Sequence, residues 1–222
     1  MRSALVVMAR CPRVGGGKTR LARDIGAERA DRLYRAFLQD IEGRFADRER
    51  TLVWAFDPPD ADFPSLTGFG SRCLPQRGED LGQRMWNCFR TLCSEGLERV
   101  IMIGADVPHV CDEWLTEAEA QLAATDVVLG PTNDGGYYLI AMREPHDVFT
   151  DVAMSTDRVL AETVRKAEAG ALRVHLLPRS FDIDEGRDLV QLRTFLQRDG
   201  CDVQLPHTAA VLAEVWSDVV VE

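Results

Sequence analysis

The sequence is poor in lysine, in paired cysteines and in long apolar runs. Only two of its 26 basic residues are lysine, Lys18 and Lys166. Its six cysteines, at 11, 73, 88, 93, 111 and 201, form no Cys-x-x-Cys pair, and no His-x-x-x-His accompanies them. That spacing argues against both a zinc site and a redox dithiol. Cys88 and Cys93 fall in a helical pattern and are expected as buried or half-buried thiols. The first apolar run, Ala4 to Met8, is too short for the core of a secretory signal, so no disulfide framework is expected. No stretch approaches the roughly 20 apolar residues of a membrane helix, which predicts no membrane insertion and a cytoplasmic location. Basic charge is also scarce. The net charge of −10 argues against a nucleic-acid partner, which calls for a basic footprint. His109, His146, His175 and His207 are scattered without triad spacing, and no nucleophile elbow is present, so a Ser/His/Asp hydrolase is disfavoured.

What the chain does contain is an alternation of strand and helix patterns in an ordinary globular composition, 45% hydrophobic and 28% charged. Its 222 residues suit one domain, 1–222. Strands are expected at about 4–9, 51–56, 71–75, 99–103, 126–130, 136–142 and 172–177. Helices are expected over much of 19–47 with a break near Gly26, and at about 80–95, 112–124, 156–169, 184–197 and 207–220. Residues 57–70, rich in Pro, Asp and Gly, read as loop. Alternating units with short connections predict an α/β domain with a mostly parallel sheet covered on both faces. Ligands of such sheets collect at the carboxyl ends of the strands.

The first strand leads into Val14-Gly15-Gly16-Gly17-Lys18-Thr19-Arg20, and a helical pattern follows. Glycines admit an anion close to the backbone, and free N–H groups at a helix start face it. The order predicts a phosphate-bearing ligand, against the simpler reading of a flexible turn. A Walker loop would need glycine where Pro12 stands, and a dinucleotide fingerprint would need glycine at Arg20. Residues 1–50 carry 12 Lys/Arg against 7 Asp/Glu, a net +5 in a chain whose remainder sums to −15. A basic end beside acidic clusters suits an anionic ligand held with a cation, although part of it is a solvated helix face.

Three further motifs fall at strand ends. Gly104-Ala105-Asp106-Val107-Pro108 follows the most apolar strand. Asp106 stands too early to cap the next helix, near Asp112, which favours a metal-binding role. In Phe181-Asp182-Ile183-Asp184-Glu185, Asp184 is either a helix N-cap or a second metal ligand. The two carboxylates come from separate strand ends and could converge on magnesium or manganese. Asp134-Gly135, within Gly130–Tyr138, reads first as a hairpin turn.

With these residues assembled, the chain resembles the small bacterial GT-A-like transferases of the nucleotide-diphospho-sugar transferase superfamily, some of them arsenosugar-associated. The superfamily includes nucleotidyltransferases such as 2-phospho-lactate guanylyltransferase. The resemblance runs in order through Pro12-Arg13, Gly15 and Lys18 to Ala22; Gly78 to Met85; Gly104 to Pro108; Asp134 to Leu139; Ser155-Thr156; and Asp182 to Asp184 with Asp188-Leu189. It implies a three-layer, Rossmann-like GT-A fold with a mixed, mostly parallel sheet, and a first loop that receives the nucleotide. It also implies Asp106 as the metal-binding carboxylate and Asp184 as the second. On this basis Gly15, Gly16, Gly17, Lys18, Thr19 and Arg20 are expected at the donor phosphates, with Asp80 and Arg84 lining the nucleotide or acceptor side. Asp106, Lys18 and Asp134 are the expected catalytic groups, Asp134 as acceptor contact or base. The implied cofactor is Mg2+ or Mn2+. The implied partners are a nucleotide sugar or nucleotide and a small acceptor. Glycosyl transfer to a hydroxyl is the first functional expectation, nucleotidyl transfer with pyrophosphate release the second, and a non-catalytic nucleotide-binding domain the third. Two departures from the family stand out. Val14, Gly15, Gly16 and Gly17 replace a usual proline, glycine, arginine and valine. Met154 replaces a frequent tryptophan at a position expected to border the acceptor pocket.

Overall fold

The computed structural model describes residues 2–13, 18–46, 48–154, 156–198 and 203–219. The expected phosphate glycines Gly15, Gly16 and Gly17 lie outside these residues. The strands are β1 (Ser3–Arg10), β2 (Thr51–Asp57), β3 (Arg72–Pro75), β4 (Arg99–Gly104), β5 (Val127–Pro131), β6 (Tyr137–Met142) and β7 (Val174–Leu176). The helices are α1 (Thr19–Ile25), α2 (Ala27–Phe45), α3 (Phe63–Thr67), α4 (Leu81–Ser94), α5 (Asp112–Gln121), α6 (Val159–Ala169), α7 (Gly186–Leu196) and α8 (Pro206–Val219). One seven-stranded sheet runs β3-β2-β1-β4-β6-β5-β7. β6 alone runs antiparallel to its neighbours β4 and β5; the other pairs are parallel.

Strand periodicity of two explains the layers. Leu5 and Val7 face a core with Leu33, Phe37 and Ile41 of α2, Leu115 of α5 and Leu192 of α7. Ala4 and Val6 face the opposite core, with Met85, Phe89 and Leu92 of α4 and Ala167 of α6. Central strands buried on both sides must be apolar throughout, which is why β1 and β4 read as unbroken hydrophobic runs. No helix among the described residues is long and apolar enough to cross a membrane. The five described cysteines are free thiols, with Cys88 buried and Cys93 half-buried.

Two elements differ from expectation. The 57–70 loop contains α3, which starts with Pro64 in its first turn and Asp62 accepting from the Ser65 amide. Proline terminates helices elsewhere, but in the first turn it removes only an N–H that has no helical partner. α7 starts at Gly186, with Glu185 as its cap and Asp188 completing the reciprocal capping box. Asp184 is therefore not the cap, and its carboxylate is left for other work.

Because β6 is reversed, the carboxyl ends of β1, β2, β4 and β5 and the start of β6 share one edge. Past β7 the chain continues along that edge: Ser180 N–H donates to the Pro131 carbonyl and Ile183 N–H to the Asp106 carbonyl. At the far side, buried Asp40 of α2 accepts from the His207 and Thr208 amides at 3.0 and 2.8 Å, capping the start of α8. Asp40→Ala leaves the buried Thr208 amide without a partner and is expected to lower unfolding free energy by about 1–3 kcal/mol in urea titration. A change below about 0.5 kcal/mol would mean the cap contributes nothing.

Candidate functional site

The site forms where residues 18, 106 and 184 meet. The Lys18 ammonium, immediately before α1, lies 2.7 Å from Asp184 Oδ1 and 3.3 Å from Asp106 Oδ2. Its side chain is only 8% exposed, whereas those of Asp106 and Asp184 keep 35% and 34%. Burial alone would lower the pKa of Lys18, but the charges and hydrogen bonds of Asp106 and Asp184 outweigh it and raise it above the usual lysine value. Arg20 reaches Asp184 Oδ2 at 3.6 Å. α1 is held there because Asp24 accepts from the Gly186 amide at 2.7 Å.

Asp106 sits at the mouth of β4, curled back over Gly104. A β-carbon on Gly104 would lie 2.1 Å from Asp106 Oδ1, so a larger residue there would push the carboxylate out of this position. Ligand oxygens of Asp106, Asp182 and Asp184 come within 4.8 Å of one another. Asp182 is the member that the sequence reading did not single out. Its pKa is pushed up to about 7, first by burial and then by the charges of Asp106, Asp184 and Asp134. The three-carboxylate donor set consists of hard oxygens, and a cation, the Lys18 ammonium, already lies between two of them. The hard-oxygen donor set fits a divalent ion such as magnesium or manganese.

His109 braces this arrangement. It is fully buried, stacks on Phe181 at 4.2 Å between ring centroids, and its Nε2 lies 3.2 Å from Ser180 Oγ. Burial, with a contribution from the Arg44 charge, pushes its pKa down to about 3, so the ring is neutral. It locks the loop after β4 onto the segment that carries Asp182 and Asp184.

The other expected residues divide between two cavities. One, of about 580 Å³, is lined by Lys18, Thr19, Arg20, Asp80 and Arg84. Asp80 also caps α4, accepting from the Gln83 amide at 2.8 Å. Arg84 is partly engaged by Asp57 at 3.0 Å and by the Gly78 carbonyl at 3.1 Å. The second cavity, of about 430 Å³, includes Asp134, Asp182 and Met154 in its wall. Asp134 serves the turn, as its sequence suggested: Oδ1 accepts from the Thr132 hydroxyl and from the Gly136 amide. Its carboxylate nonetheless faces the cavity rim. Asp106, Asp184 and Arg20 belong to both cavities.

The raised pKa of Asp182 has a definite sign. Between about 4, where the unfolded side chain ionises, and about 7, the folded state holds a proton that the unfolded state has lost. Stability from this group therefore falls with rising pH across that window and is level outside it. Asp182→Asn is expected to gain stability relative to the parent from pH ~4 to ~7 in metal-free urea titrations, then plateau. A pH-independent difference would contradict the assignment.

Comparison with known proteins agrees with this architecture. A protein from Desulfovibrio desulfuricans G20, provisionally named a nucleotide-diphospho-sugar transferase, superposes with a TM-score of 0.87 at 32% identity, covering 98% of this chain and 96% of that one. A cytidylyltransferase from Leptospira borgpetersenii serovar Hardjo-bovis shares the fold at 11% identity and a TM-score of 0.57, with 98% and 96% covered. In sequence, 2-phospho-L-lactate guanylyltransferase of Methanothermobacter thermautotrophicus is 27% identical over 128 residues, 57% of this chain. The chain spans just over half, 56%, of the length of that curated relative. The fold is that of the GT-A-like nucleotide-diphospho-sugar transferases. The model of the family described as "Uncharacterized protein conserved in bacteria (DUF2064)" matches residues 41–156, just over half of the sequence, and the chain belongs to that family.

Proposed function

We propose that the chain is a metal-dependent transferase that moves a sugar from a nucleotide-sugar donor to the hydroxyl of a small acceptor. One observation carries the reading: two cavities, of about 580 and 430 Å³, meet on Asp106, Asp184 and Arg20. A donor in the first and an acceptor in the second would adjoin at the carboxylates.

Lys18, Thr19 and Arg20, with Gly15, Gly16 and Gly17, would hold the donor phosphates, and Asp80 and Arg84 would line the nucleotide side. Asp106 and Asp184, joined by Asp182, would hold magnesium or manganese, which would supply positive charge to offset that of the leaving phosphates. In the transfer the acceptor oxygen bonds to the anomeric carbon while the bond from that carbon to the phosphate oxygen breaks. The hydroxyl proton passes to a carboxylate, for which Asp134 is positioned on the acceptor wall. Nucleoside diphosphate leaves, its growing charge met by Lys18.

A second reading has its own support. The 27% likeness to 2-phospho-L-lactate guanylyltransferase favours nucleotidyl transfer, in which an acceptor phosphate attacks the α-phosphorus of a nucleoside triphosphate and pyrophosphate departs. Product analysis separates the two. With Mg2+ or Mn2+ and a panel of nucleotide sugars and triphosphates, nucleoside diphosphate release is expected, reduced about a hundredfold or more by Asp106→Ala. Pyrophosphate released from a triphosphate would replace the first reading with the second. Nucleotide binding that survives Asp106→Ala, with no turnover of any donor, would identify a non-catalytic binding domain.

A further inference from the structure

The two cavities that meet at the carboxylates differ in charge. Outside the groups they share, the 580 Å³ cavity offers Arg10, Lys18 and Arg84 against Asp57, Glu79 and Asp80. The 430 Å³ cavity offers Asp134, Asp157 and Asp182 and no basic side chain. A phosphate chain finds several cations in the first; in the second it would face five carboxyl groups, with Arg20 at the shared edge as the one basic side chain.

Hydrogen bonding points the same way. A carboxylate only accepts, and so does a phosphate dianion, so the two cannot satisfy each other. Three side-chain hydroxyls along the smaller cavity already donate within the protein, and that of Tyr137 is buried from solvent without a hydrogen-bond partner. Thr132 donates to Asp134, Thr156 to the Ala153 carbonyl at 2.9 Å, and Tyr138 to the Pro178 carbonyl at 3.2 Å. The Gly136 amide is taken by Asp134. A ligand resting on this rim has to bring its own donors.

The rest of the wall is apolar. Met8, Leu81, Met85, Met154 and Val159 line it with the ring of Tyr137. Leu81 is 43% exposed at the start of α4, a large apolar side chain left open beside the carboxylates. Thioethers are polarisable and flexible, and adapt to an apolar body of irregular shape.

The wall that carries the acids is fixed in place. Gly135 has φ +91°, and a β-carbon there would come within 1.9 Å of the Asp157 carbonyl oxygen. The Leu160 amide donates to the Gly135 carbonyl at 3.0 Å. The turn bearing Asp134 and the segment bearing Asp157 are thus packed into one rim.

We infer that the acceptor substrate is a non-anionic alcohol: a hydroxyl-bearing head that donates to the Asp134 and Asp157 rim, on an apolar body seated among the methionines. This rests on the transferase reading above and deepens it, because a phosphorylated acceptor is disfavoured in this cavity by charge and by hydrogen-bond polarity.

The test uses protein labelled with [13C]methyl methionine, whose methyls at Met85 and Met154, which line only this cavity, report entry into it. The probes are phenyl β-D-glucoside and its 6-phosphate, added to protein saturated with Mg2+ and a nucleoside diphosphate. The neutral probe is expected to shift those methyls and to bind about tenfold or more tighter than the phosphate, and Asp134→Asn with Asp157→Asn is expected to narrow that gap. Equal or tighter binding of the phosphate overturns the inference, as does binding of neither probe. Failure of the parent reading has a separate signature. If no nucleotide or Mg2+ perturbs the spectrum while the neutral probe still binds, the transferase assignment falls and the preference of the cavity for a non-anionic alcohol stands.

Discussion

The arrangement at the edge of the sheet depends on one ammonium group. Asp106, Asp182 and Asp184 are brought together by segments far apart in sequence, and each ionised carboxylate raises the cost of the next. Lys18 makes the cluster tolerable by placing a buried positive charge between two of its members. It also pins the start of α1 against the start of α7. An ammonium and a divalent ion cannot share the space between the same two carboxylates. A cation bound by both Asp106 and Asp184 would use the oxygens that Lys18 leaves free or displace the ammonium, which would then be stabilised by the nearest new anion. The same carboxylates thus link cation entry to the position of the loop lysine.

The structure around these carboxylates is braced by packing and hydrogen bonds. Neutral His109 stacks on Phe181, and the Ile183 amide bonds the Asp106 carbonyl. The two carboxylate-bearing segments therefore move together if they move at all. The reversal of β6 contributes as well. It returns the chain to the carboxyl edge of the sheet, so the turn carrying Asp134 rises beside the ends of β4 and β5 and closes the second cavity.

Much of this was legible in the sequence, for physical reasons. Buried parallel strands must be apolar, so β1 and β4 are visible as continuous runs, and the residues just past their ends are the ones free to do chemistry. Asp106 and Lys18 stand out on that basis. Asp182 does not, because only Asp184 stands next to a helix start, where an acid is conspicuous. In extended chain, residues two apart point the same way, and buried Ile183 between two acids is the signature that both acids face one site. Arg84 and Asp80 line the expected cavity but also hold local structure, a salt bridge and a helix cap, which no one-residue motif distinguishes from ligand binding. α3 was obscured because its proline falls in the one turn of a helix where proline is tolerated.

Substrate identity was the least legible property, and the construction of the two cavities accounts for it. The larger cavity is built from paired charges, a capped helix and strand ends, which the fold places at one edge of the sheet. The smaller cavity is shaped by side chains meeting at close range. Gly82 of α4 packs against the segment that carries Met154: a β-carbon there would lie 3.1 Å from the Met154 methyl and 3.2 Å from Phe149 Cβ. The position of the Met154 wall is therefore set by the absence of one carbon on a neighbouring helix. Such contacts obey no periodicity and leave no spacing to read, and exchanging methionine for a rigid tryptophan at 154 would reshape the cavity without disturbing a strand, a helix or a carboxylate. Backbone geometry fixes the carboxylate edge, whereas a few side chains in contact shape the smaller cavity.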